Sequence, residues 1–268
     1  MGEVGKEFGV SVPSRRERLR AETSREIMAI ALQQMADAGP GSISLRGIAR
    51  GMGMTPRAIY SYFPTRDDLI TALISGIGTS LAEVLEAAVD AVPDTDPGGR
   101  LVAWGQGLRE WALAHPQSFR LFYGHPVPGY QPPEDGPVDR TARRVCRGLT
   151  RLVADAWLDA HSGQVEQNSW SDLQPDYAAK IRQDLPDVPA GAAVLALRVW
   201  GRMHGWVALE VDGHITPVAR NSAALHHAEM IDLVRSLGLP CLDPERPPTV
   251  RDTHTDHAIV ERGDPLGR

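Results

Sequence analysis

The sequence is poor in the features that mark several classes of protein. It has only two cysteines, Cys146 and Cys241, which lie far apart and match no metal-ligand spacing. A disulfide framework is therefore not expected, which suits a reducing cytosol. Runs of alternating Val, Ile and Thr are missing, as is any stretch of 18 consecutive apolar residues. These absences argue against strands and against a transmembrane helix, and we expect an all-α, cytoplasmic protein with no membrane partner.

Recognisable catalytic and cofactor motifs are also absent. The chain contains no nucleophile elbow, no glycine-rich phosphate loop and no zinc signature. His226 and His227 could join Glu229, or His204 and His214, around a metal, but their spacing follows no known ligand motif. We therefore expect no catalytic residues, no metal and no cofactor, although a helical enzyme remains an alternative.

Charge is distributed unevenly along the chain. The formal net charge is −6, yet residues 1–66 carry ten basic and six acidic side chains, a local net of +4, so the remainder carries −10. A basic N-terminal segment followed by an acidic remainder fits a nucleic-acid-binding protein. An excess of four charges also arises by chance, so the asymmetry supports this interpretation without establishing it.

Helical periodicity is the main pattern in the apolar residues. A first helix is predicted for 15–38, ended by Gly39-Pro40-Gly41. A long fourth helix is predicted from the cap Thr65 to about Val92. The predicted helices beyond it cover about 101–115, 118–123, 138–160, 190–211 and 218–237. The intervening segments 126–137 and 161–187, and the tail after Pro240, are predicted to be irregular or disordered.

Two short helices lie between the first and the fourth. Ser44 is a plausible N-cap for a helix from Leu45, and glycines 51 and 53 form the turn. Thr55 and Pro56 are a favoured start for the next helix. Neither is long enough to be stable alone, so both need the flanking helices as a scaffold. We interpret residues 44–63 as a helix-turn-helix whose second helix, the recognition helix, fits the major groove of DNA.

The residues around this unit resemble the tetracycline-repressor (TetR) family over about 18–80. The hallmarks are Ile48-Ala49, Gly53-Met54-Thr55, Ile59-Tyr60-Ser61-Tyr62-Phe63 and Thr65-Arg66-Asp67-Asp68-Leu69. The resemblance implies a three-helix DNA-binding domain that a long fourth helix joins to a larger helical effector-binding and dimerisation domain. The expected units are a disordered leader 1–14, a DNA-binding domain 15–80, which we call the head, a body 81–240 and a disordered tail 241–268.

The same resemblance implies a homodimeric repressor of a palindromic operator in double-stranded DNA, with an affinity that a small molecule lowers. A regulator without an effector, or an activator, remains the alternative. The expected DNA-binding residues are Ser44, Arg46, Thr55, Pro56, Arg57, Ala58, Tyr60, Ser61, Tyr62 and Arg66.

Several of these residues have two possible roles. Arg57, where the family usually has a small residue, can pair bidentately with guanine or only touch phosphate or solvent. Tyr60 is the better phosphate contact, whereas the ring of Tyr62 can belong to the core. Arg46 and Arg66 are either phosphate clamps or solvated. For the arginines at the start of the first helix, a DNA contact and a solvated face are equally possible. These are Arg15, Arg16, Arg18 and Arg20.

The second half resembles the tryptophan–histidine–glycine (WHG) C-terminal domain of part of this family. The resemblance rests on the loop 123–130 and on Trp200, His204, Gly205, Leu209 and Glu210. It implies a helical domain that dimerises and binds a small effector.

Two sets of body residues are candidates for these roles. An apolar or aromatic effector would contact Trp104, Trp111, Phe119, Phe122, Tyr123, Trp157, Trp200 and His204, unless these side chains simply fill the core. The helix 190–211 is apolar on nearly every side, which favours burial against a second subunit as well as the chain's own core. The expected dimer residues are Val199, Met203, Trp206, Leu225, Ala228, Ile231 and Val234, with a purely internal core as the alternative.

Overall fold

A computed structural model describes residues 14–124, 127–160 and 168–239, with the side chains of 40 and 158–160 left aside. The expectations for the tail 241–268 and for all of the leader except Ser14 fall outside these residues. The described part is all-helical, as predicted, and contains no strand. Its ten α-helices are α1 (Arg15–Ala38), α2 (Leu45–Gly51), α3 (Pro56–Tyr60), α4 (Arg66–Asp90), α5 (Pro97–Ala114), α6 (Pro116–Tyr123), α7 (Pro137–Ala160), α8 (Pro175–Asp184), α9 (Ala190–Val211) and α10 (Ser222–Ser236).

The caps predicted around the helix-turn-helix are confirmed. The hydroxyl of Ser44 accepts a hydrogen bond from the backbone N–H of Gly47, and that of Thr55 accepts one from Ala58. Thr65 and Asp68 form a reciprocal capping box at the start of α4. Each cap satisfies an N–H that the first helical turn leaves unpaired. The helix boundaries of the head therefore follow directly from local sequence.

Three boundaries in the body differ from the sequence prediction. α5 begins at Pro97, earlier than expected, because the carboxylate of Asp96 caps the N–H of Gly99 despite the adjacent glycines. α10 begins at Ser222 because the cap is Asn221, so 218–221 precede the helix. α8 lies inside a segment predicted to be irregular, and it depends on tertiary packing of Ala178 and Ile181.

A continuous hydrophobic core runs from the head into the body along α4. α4 packs chiefly on α5 and α7, and its fully buried side chains include Leu69, Ile70, Leu81 and Leu85. Among the described residues it is the one helix long and apolar enough to cross a bilayer. Core helices of soluble proteins meet the same criterion, and α4 packs as a core helix.

A second, smaller cluster surrounds α8. Its buried members are Ala154, Leu173, Ala178, Ile181, Leu185, Val188, Ala192 and Ala193. It attaches α8 to α7 and α9 at a distance from the main core. α8 therefore packs on the side of the body through its own hydrophobic cluster.

A buried ion pair joins α5 to α9. The guanidinium of Arg109 donates hydrogen bonds of 2.7 and 2.6 Å to the carboxylate of Glu210. Burial alone would raise the pKa of Glu210, but hydrogen bonds from Arg109 and Ser222 outweigh it, so the pKa lies below its ordinary value. Both charges are thus retained inside the body, where removing one partner alone would leave the other uncompensated.

Candidate nucleic-acid interface and body cavity

The helix-turn-helix exposes one face of α3. Ile59 is fully buried against the head core, whereas Thr55, Pro56 and Arg57 are exposed and Ala58 is half-buried. The positive φ of Gly53, +64°, makes the turn that brings α3 across α2. The first turn of α3, with Arg57, is therefore open to a groove of DNA.

Hydroxyl groups predicted to bind DNA also hold the local backbone. Ser44 and Thr55 accept cap hydrogen bonds, and the hydroxyl of Ser61 donates to the carbonyl of Ala58 at 2.6 Å. Because a hydroxyl has one hydrogen and two lone pairs, Ser44 and Thr55 keep a free O–H for a phosphate. Ser61 already donates its hydrogen, which leaves it only lone pairs to offer.

The two tyrosines occupy different environments. Tyr60 is 40% exposed, whereas Tyr62 is half-buried and packs against the core. This arrangement leaves the ring and hydroxyl of Tyr60 accessible. It agrees with the interpretation in which Tyr62 belongs mainly to the core.

The arginines of the head separate into exposed and engaged groups. Arg46 is exposed on α2. Arg66 is half-buried, and its Nε donates to the carbonyl of Ile43 at 3.3 Å, so part of its guanidinium is used inside the head. Arg20, which is exposed, donates to the carbonyl of Ser61 at 2.6 Å, so part of its guanidinium is also used inside the head. The other predicted groove or backbone contacts at the start of α1 remain exposed: Arg15, Arg16 and Arg18.

An apolar cavity of about 320 Å³ lies in the body. None of its lining side chains carries a formal charge. The lining is Ile74, Leu85, Trp104, Leu108, Phe122, Tyr123, Val138, Ala142, Val145, Cys146, Leu149, Thr150, Tyr177, Ala196, Leu197 and Trp200. Small-molecule sites have this size and composition, with a few polar groups that orient the ligand. Here those groups are the hydroxyls of Tyr123, Thr150 and Tyr177, the thiol of Cys146 and the indole N–H groups of Trp104 and Trp200.

The structure brings together half of the predicted effector residues. Trp104, Phe122, Tyr123 and Trp200 line the cavity. The other four do not: Trp111, Phe119, Trp157 and His204. Trp111 is buried beside the ring of His115, and Trp157 packs against the cluster around α8, so both fill space as core residues. The cavity lining thus includes four of the eight predicted residues, and their contact with an effector stays a prediction.

His204 supports the cavity wall from behind. Its ring stacks on those of Phe119 and Trp200, with centroids 5.3 and 4.9 Å away, and meets the edge of Tyr123. Burial lowers the pKa of His204 and raises that of Tyr123, so both rings are neutral near pH 7. His204 therefore packs in an aromatic stack behind Trp200, in agreement with the alternative in which it fills the core.

Sequence reasoning missed the contribution of α7 and α8 to the cavity. Val145, Cys146 and Leu149 of α7 and Tyr177 of α8 all line it. The strong amphipathic pattern of α7 was a usable signal for a cavity wall, but α8 was not predicted as a helix. Neighbouring side chains partly desolvate the Cys146 thiol and raise its pKa although the residue reaches the surface, so the thiol is protonated near neutral pH.

Charged residues surround a smaller cavity of about 270 Å³ between α7 and α8. It shares four lining residues with the apolar cavity: Ala142, Cys146, Thr150 and Tyr177. Arg143 donates to Asp184 at 2.7 and 3.1 Å, and Lys180 donates to Asp139 at 3.0 Å. Two ion pairs therefore join α8 to α7 beside the apolar cavity.

The predicted dimer residues divide by burial. Val199, Met203, Ile231 and Val234 are buried in the core of the chain itself, so they are not surface contacts for a partner, and Trp206 is half-buried. Leu225 and Ala228 are exposed on α10. One row of exposed residues on α9 recurs every four positions: Leu197, Gly201, Gly205 and Leu209. The predicted set mixes buried and exposed residues of α9 and α10, because the apolar pattern alone does not show which side of a helix faces the core.

The described residues contain no group of three or more His, Cys, Asp or Glu side chains arranged to hold a metal ion. His226 is fully buried between α9 and α10, whereas His214 is exposed, so the histidines considered in the sequence do not converge.

Two family models match the chain. Residues 27–73 match the model of bacterial regulatory proteins of the tetR family, and residues 101–233 match a tetracyclin repressor-like C-terminal domain. HTH-type transcriptional regulators of Mycobacterium tuberculosis and Mycobacterium bovis are each 30% identical over 203 residues, covering 72% of this chain and 82% of the relative.

Solved structures give the same result. A crystal structure of a candidate regulatory protein, SCO4313, is 33% identical, with a TM-score of 0.65, and covers 83% of this chain and 100% of that one. A TetR-family transcriptional regulator, PfmR from Thermus thermophilus, is 14% identical, with a TM-score of 0.54 and coverage of 78% and 97%. The latter is a likeness of fold alone.

Proposed function

The chain belongs to the TetR family of DNA-binding transcriptional regulators, and from that premise we propose that it is a homodimeric repressor released from a palindromic operator by a small apolar effector. The observation that carries the proposal is the uncharged cavity of about 320 Å³ beside α4. α4 contributes Ile74 and Leu85 to the cavity wall and begins directly after the helix-turn-helix. An occupant therefore contacts the helix that carries the head.

The cavity lining defines the class of effector. A charged ligand would lose its hydration without meeting a counter-charge, which costs several kcal/mol by the usual order of magnitude. A neutral aromatic or aliphatic molecule loses little and gains contact with the indoles of Trp104 and Trp200. One polar group on it would suffice to meet Thr150 or Tyr177. We therefore infer an uncharged, largely apolar effector.

We infer that the body is of the WHG type. Trp200 forms part of the cavity wall, His204 stacks behind it, and Glu210 holds Arg109 across the body. The residues of that sequence pattern thus connect the cavity with the frame of the domain. We place the division between the DNA-binding domain, 15–80, and the body, 81–240, within α4.

The homodimer is proposed on the outer surface of α9 and α10. Leu209 is 47% and Leu225 48% exposed, which is unusual for leucines in a packed body. Gly201 and Gly205 leave open space above α9, so another helix can approach closely there. Two subunits joined on this surface would present two recognition helices to half-sites about 34–36 Å apart.

The alternative regulators keep the same head. An activator, or a repressor without an effector, would have the same α3 surface and the same dimer. The uncharged cavity favours the effector-controlled form. Membership of a regulator family favours a binding protein that acts on the chromosome in the cytoplasm over an enzyme.

A paired experiment tests effector control. Binding of the protein to DNA from its own promoter region is measured by fluorescence anisotropy, and neutral apolar compounds are screened by thermal shift. A compound at 100 times its dissociation constant stabilises the protein by about 2.7 kcal/mol. We expect each stabilising compound of this class to weaken DNA binding.

A matched pair of variants locates the effect. Ala142→Phe fills the cavity and should abolish both the thermal shift and the release from DNA. Ala179→Phe, on the exposed side of α8, should behave as the wild type. Release that persists in Ala142→Phe, or stabilising compounds that never affect DNA binding, would reject the proposal.

A further inference from the structure

Two polar side chains of α1 hold the two ends of the helix-turn-helix. Oε1 of Gln34 accepts a hydrogen bond from the backbone N–H of Ser44, 3.3 Å away, at the N-cap of α2. Nη2 of Arg20 donates to the carbonyl of Ser61, 2.6 Å away, at the C-cap of α3. The unit that contacts DNA is thus fastened to α1 at its beginning and at its end.

The sequence of α1 places these two groups on one side of the helix. Arg20, Ile27 and Gln34 follow one another at intervals of seven residues, close to two turns each. Ile27, in the middle, is completely buried. One stripe of α1 therefore presents a polar contact, an apolar contact and a second polar contact to the helix-turn-helix.

Arg20 makes a second contact besides the hydrogen bond. Its guanidinium carbon lies 4.8 Å from the centre of the Tyr62 ring. A flat, delocalised cation can stack on an aromatic face while its N–H groups bond to a carbonyl, which an ammonium group does less well. A positive charge is also favourable at the C-terminal end of a helix. Arg20 therefore acts at the end of α3 through a hydrogen bond, a stack on Tyr62 and its positive charge.

α3 needs such support because it is only five residues long. A helix of this length has no stability of its own, so its direction depends on the burial of Ile59 and on what holds its ends. Thr55 caps its start, and the carbonyl of Ser61 at its end is held by Arg20. A small change of tilt moves side chains of α3 relative to base edges while leaving flexible phosphate contacts intact.

We propose that Arg20 and Gln34 are positioning residues that set the orientation of the recognition helix and so determine sequence preference, without contacting DNA themselves. Loss of either contact lowers affinity for the preferred duplex. Affinity for unrelated DNA depends on phosphate neutralisation and does not change. Specificity in this protein is thus encoded partly in α1.

The test compares two duplexes: one that the wild-type protein selects from a random library, and a scrambled version of it. Affinities of Arg20→Ala and Gln34→Met are measured by fluorescence anisotropy at several salt concentrations. We expect the preference for the selected duplex to fall about tenfold, which is about 1.4 kcal/mol. The affinity for the scrambled duplex and the slope of log K against log salt should match the wild type.

The controls separate positioning from other roles. Arg25→Ala removes an exposed arginine from another side of α1 and should change neither the preference nor the slope. Arg20→Lys should restore only part of the preference, because lysine keeps the charge without the flat stack on Tyr62. Full recovery with lysine would mean that charge alone matters and would reject the geometric role.

Other outcomes also decide the matter. A salt slope reduced by about 0.9 in Arg20→Ala would make Arg20 a phosphate contact and overturn the proposal. An unchanged preference in both variants would do the same. Circular dichroism at the assay temperature establishes that the head is folded; where Arg20→Ala unfolds it, Arg20→Lys and Gln34→Met supply the comparison.

Discussion

At the scale of single residues, the arginines of the head have distinct surroundings that their number in the sequence does not reveal. Arg57 is exposed in the first turn of α3, whereas Arg20 is bonded to the carbonyl of Ser61 and Arg66 to that of Ile43. A guanidinium carries five N–H groups, so one internal bond does not exclude a contact with DNA, but of these three arginines only Arg57 lies on the recognition helix. Arg57 is therefore the arginine to test for base recognition.

Replacing Arg57 by alanine should weaken binding to the preferred duplex by about 1–3 kcal/mol and relax preference at a single base pair. Arg57→Lys should restore affinity more than preference, because lysine does not pair bidentately with guanine. Anisotropy titrations against duplexes varied one base pair at a time measure both effects. Unchanged affinity and base preference in Arg57→Ala would assign Arg57 to solvent.

His226 is a buried residue with a consequence for pH. It is fully buried, and neither ring nitrogen has a hydrogen-bond partner among the described residues. Burial, reinforced by the positive charge of Arg109, lowers its pKa from 6.5 to about 4. The unfolded chain therefore takes up this proton at a higher pH than the folded chain. The contribution of neutral His226 to the free energy of unfolding is therefore fully present above pH 6.5 and should be lost as the pH drops toward 4.

Between pH 6.5 and about 4, the free energy of unfolding should fall by about 3 kcal/mol because of His226. His226→Leu should flatten the dependence of the unfolding free energy on pH between 6.5 and 4.5. His214→Leu, at an exposed site, should retain the slope of the wild type. Urea unfolding at a series of pH values measures it, and equal slopes in the wild type and His226→Leu would show that another group is responsible.

At the scale of helices, sequence predicted what depends on neighbours along the chain. The caps Ser44, Thr55 and Thr65 were predictable because each acts on an N–H three residues ahead. α8 was not, since its stability comes from contacts of Ala178 and Ile181 with distant helices. The cavity was half predictable: aromatic residues marked part of its wall, but α7 and Tyr177 join it only through packing.

A close approach between helices gives a prediction at this scale. A Cβ atom added to Gly78 of α4 would lie 2.7 Å from the Phe122 ring on α6 and 2.7–2.8 Å from Thr141 on α7. Gly78→Ala should therefore force these helices apart and destabilise the protein by about 1–3 kcal/mol. Because Phe122 lines the cavity, ligand binding there should weaken as well.

Thermal unfolding and titration with a neutral fluorescent probe, N-phenyl-1-naphthylamine, measure the two effects of Gly78→Ala. Gly76→Ala is the matched control, since nothing lies within 4 Å of its added Cβ. It should be neutral or slightly stabilising, because alanine is the better helix former. A stable Gly78→Ala protein with unchanged probe affinity would show that α6 and α7 adapt without cost.

At the scale of the whole molecule, the outward face of α9 and α10 is the proposed site of assembly. Leu209 and Leu225 are exposed there, although they belong to helices whose other sides form the core. A double variant with glutamate at both positions should convert the dimer to monomers and sharply lower operator affinity, because one subunit reads only one half-site. Sedimentation velocity and anisotropy measure the two consequences.

Leu113→Glu is the control for that double variant. Leu113 is 38% exposed on α5, outside the proposed interface, and its replacement should leave both the assembly and the affinity unchanged. A double variant that remains dimeric would move the interface elsewhere on the body. A monomeric wild type would remove the homodimer from the proposed function.

α4 also has a mechanical consequence. With 25 residues, this single helix is about 37 Å long at 1.5 Å per residue. Its cavity-lining end lies in the body, and its capped end lies beside the helix-turn-helix. Leu85, a cavity-lining residue, lies about 28 Å along the axis from the capped end, so a tilt of about 5° there displaces that end by about 2.5 Å. A displacement of that size approaches the rise of one base pair, so a small tilt of α4 around an effector becomes misregistration against DNA.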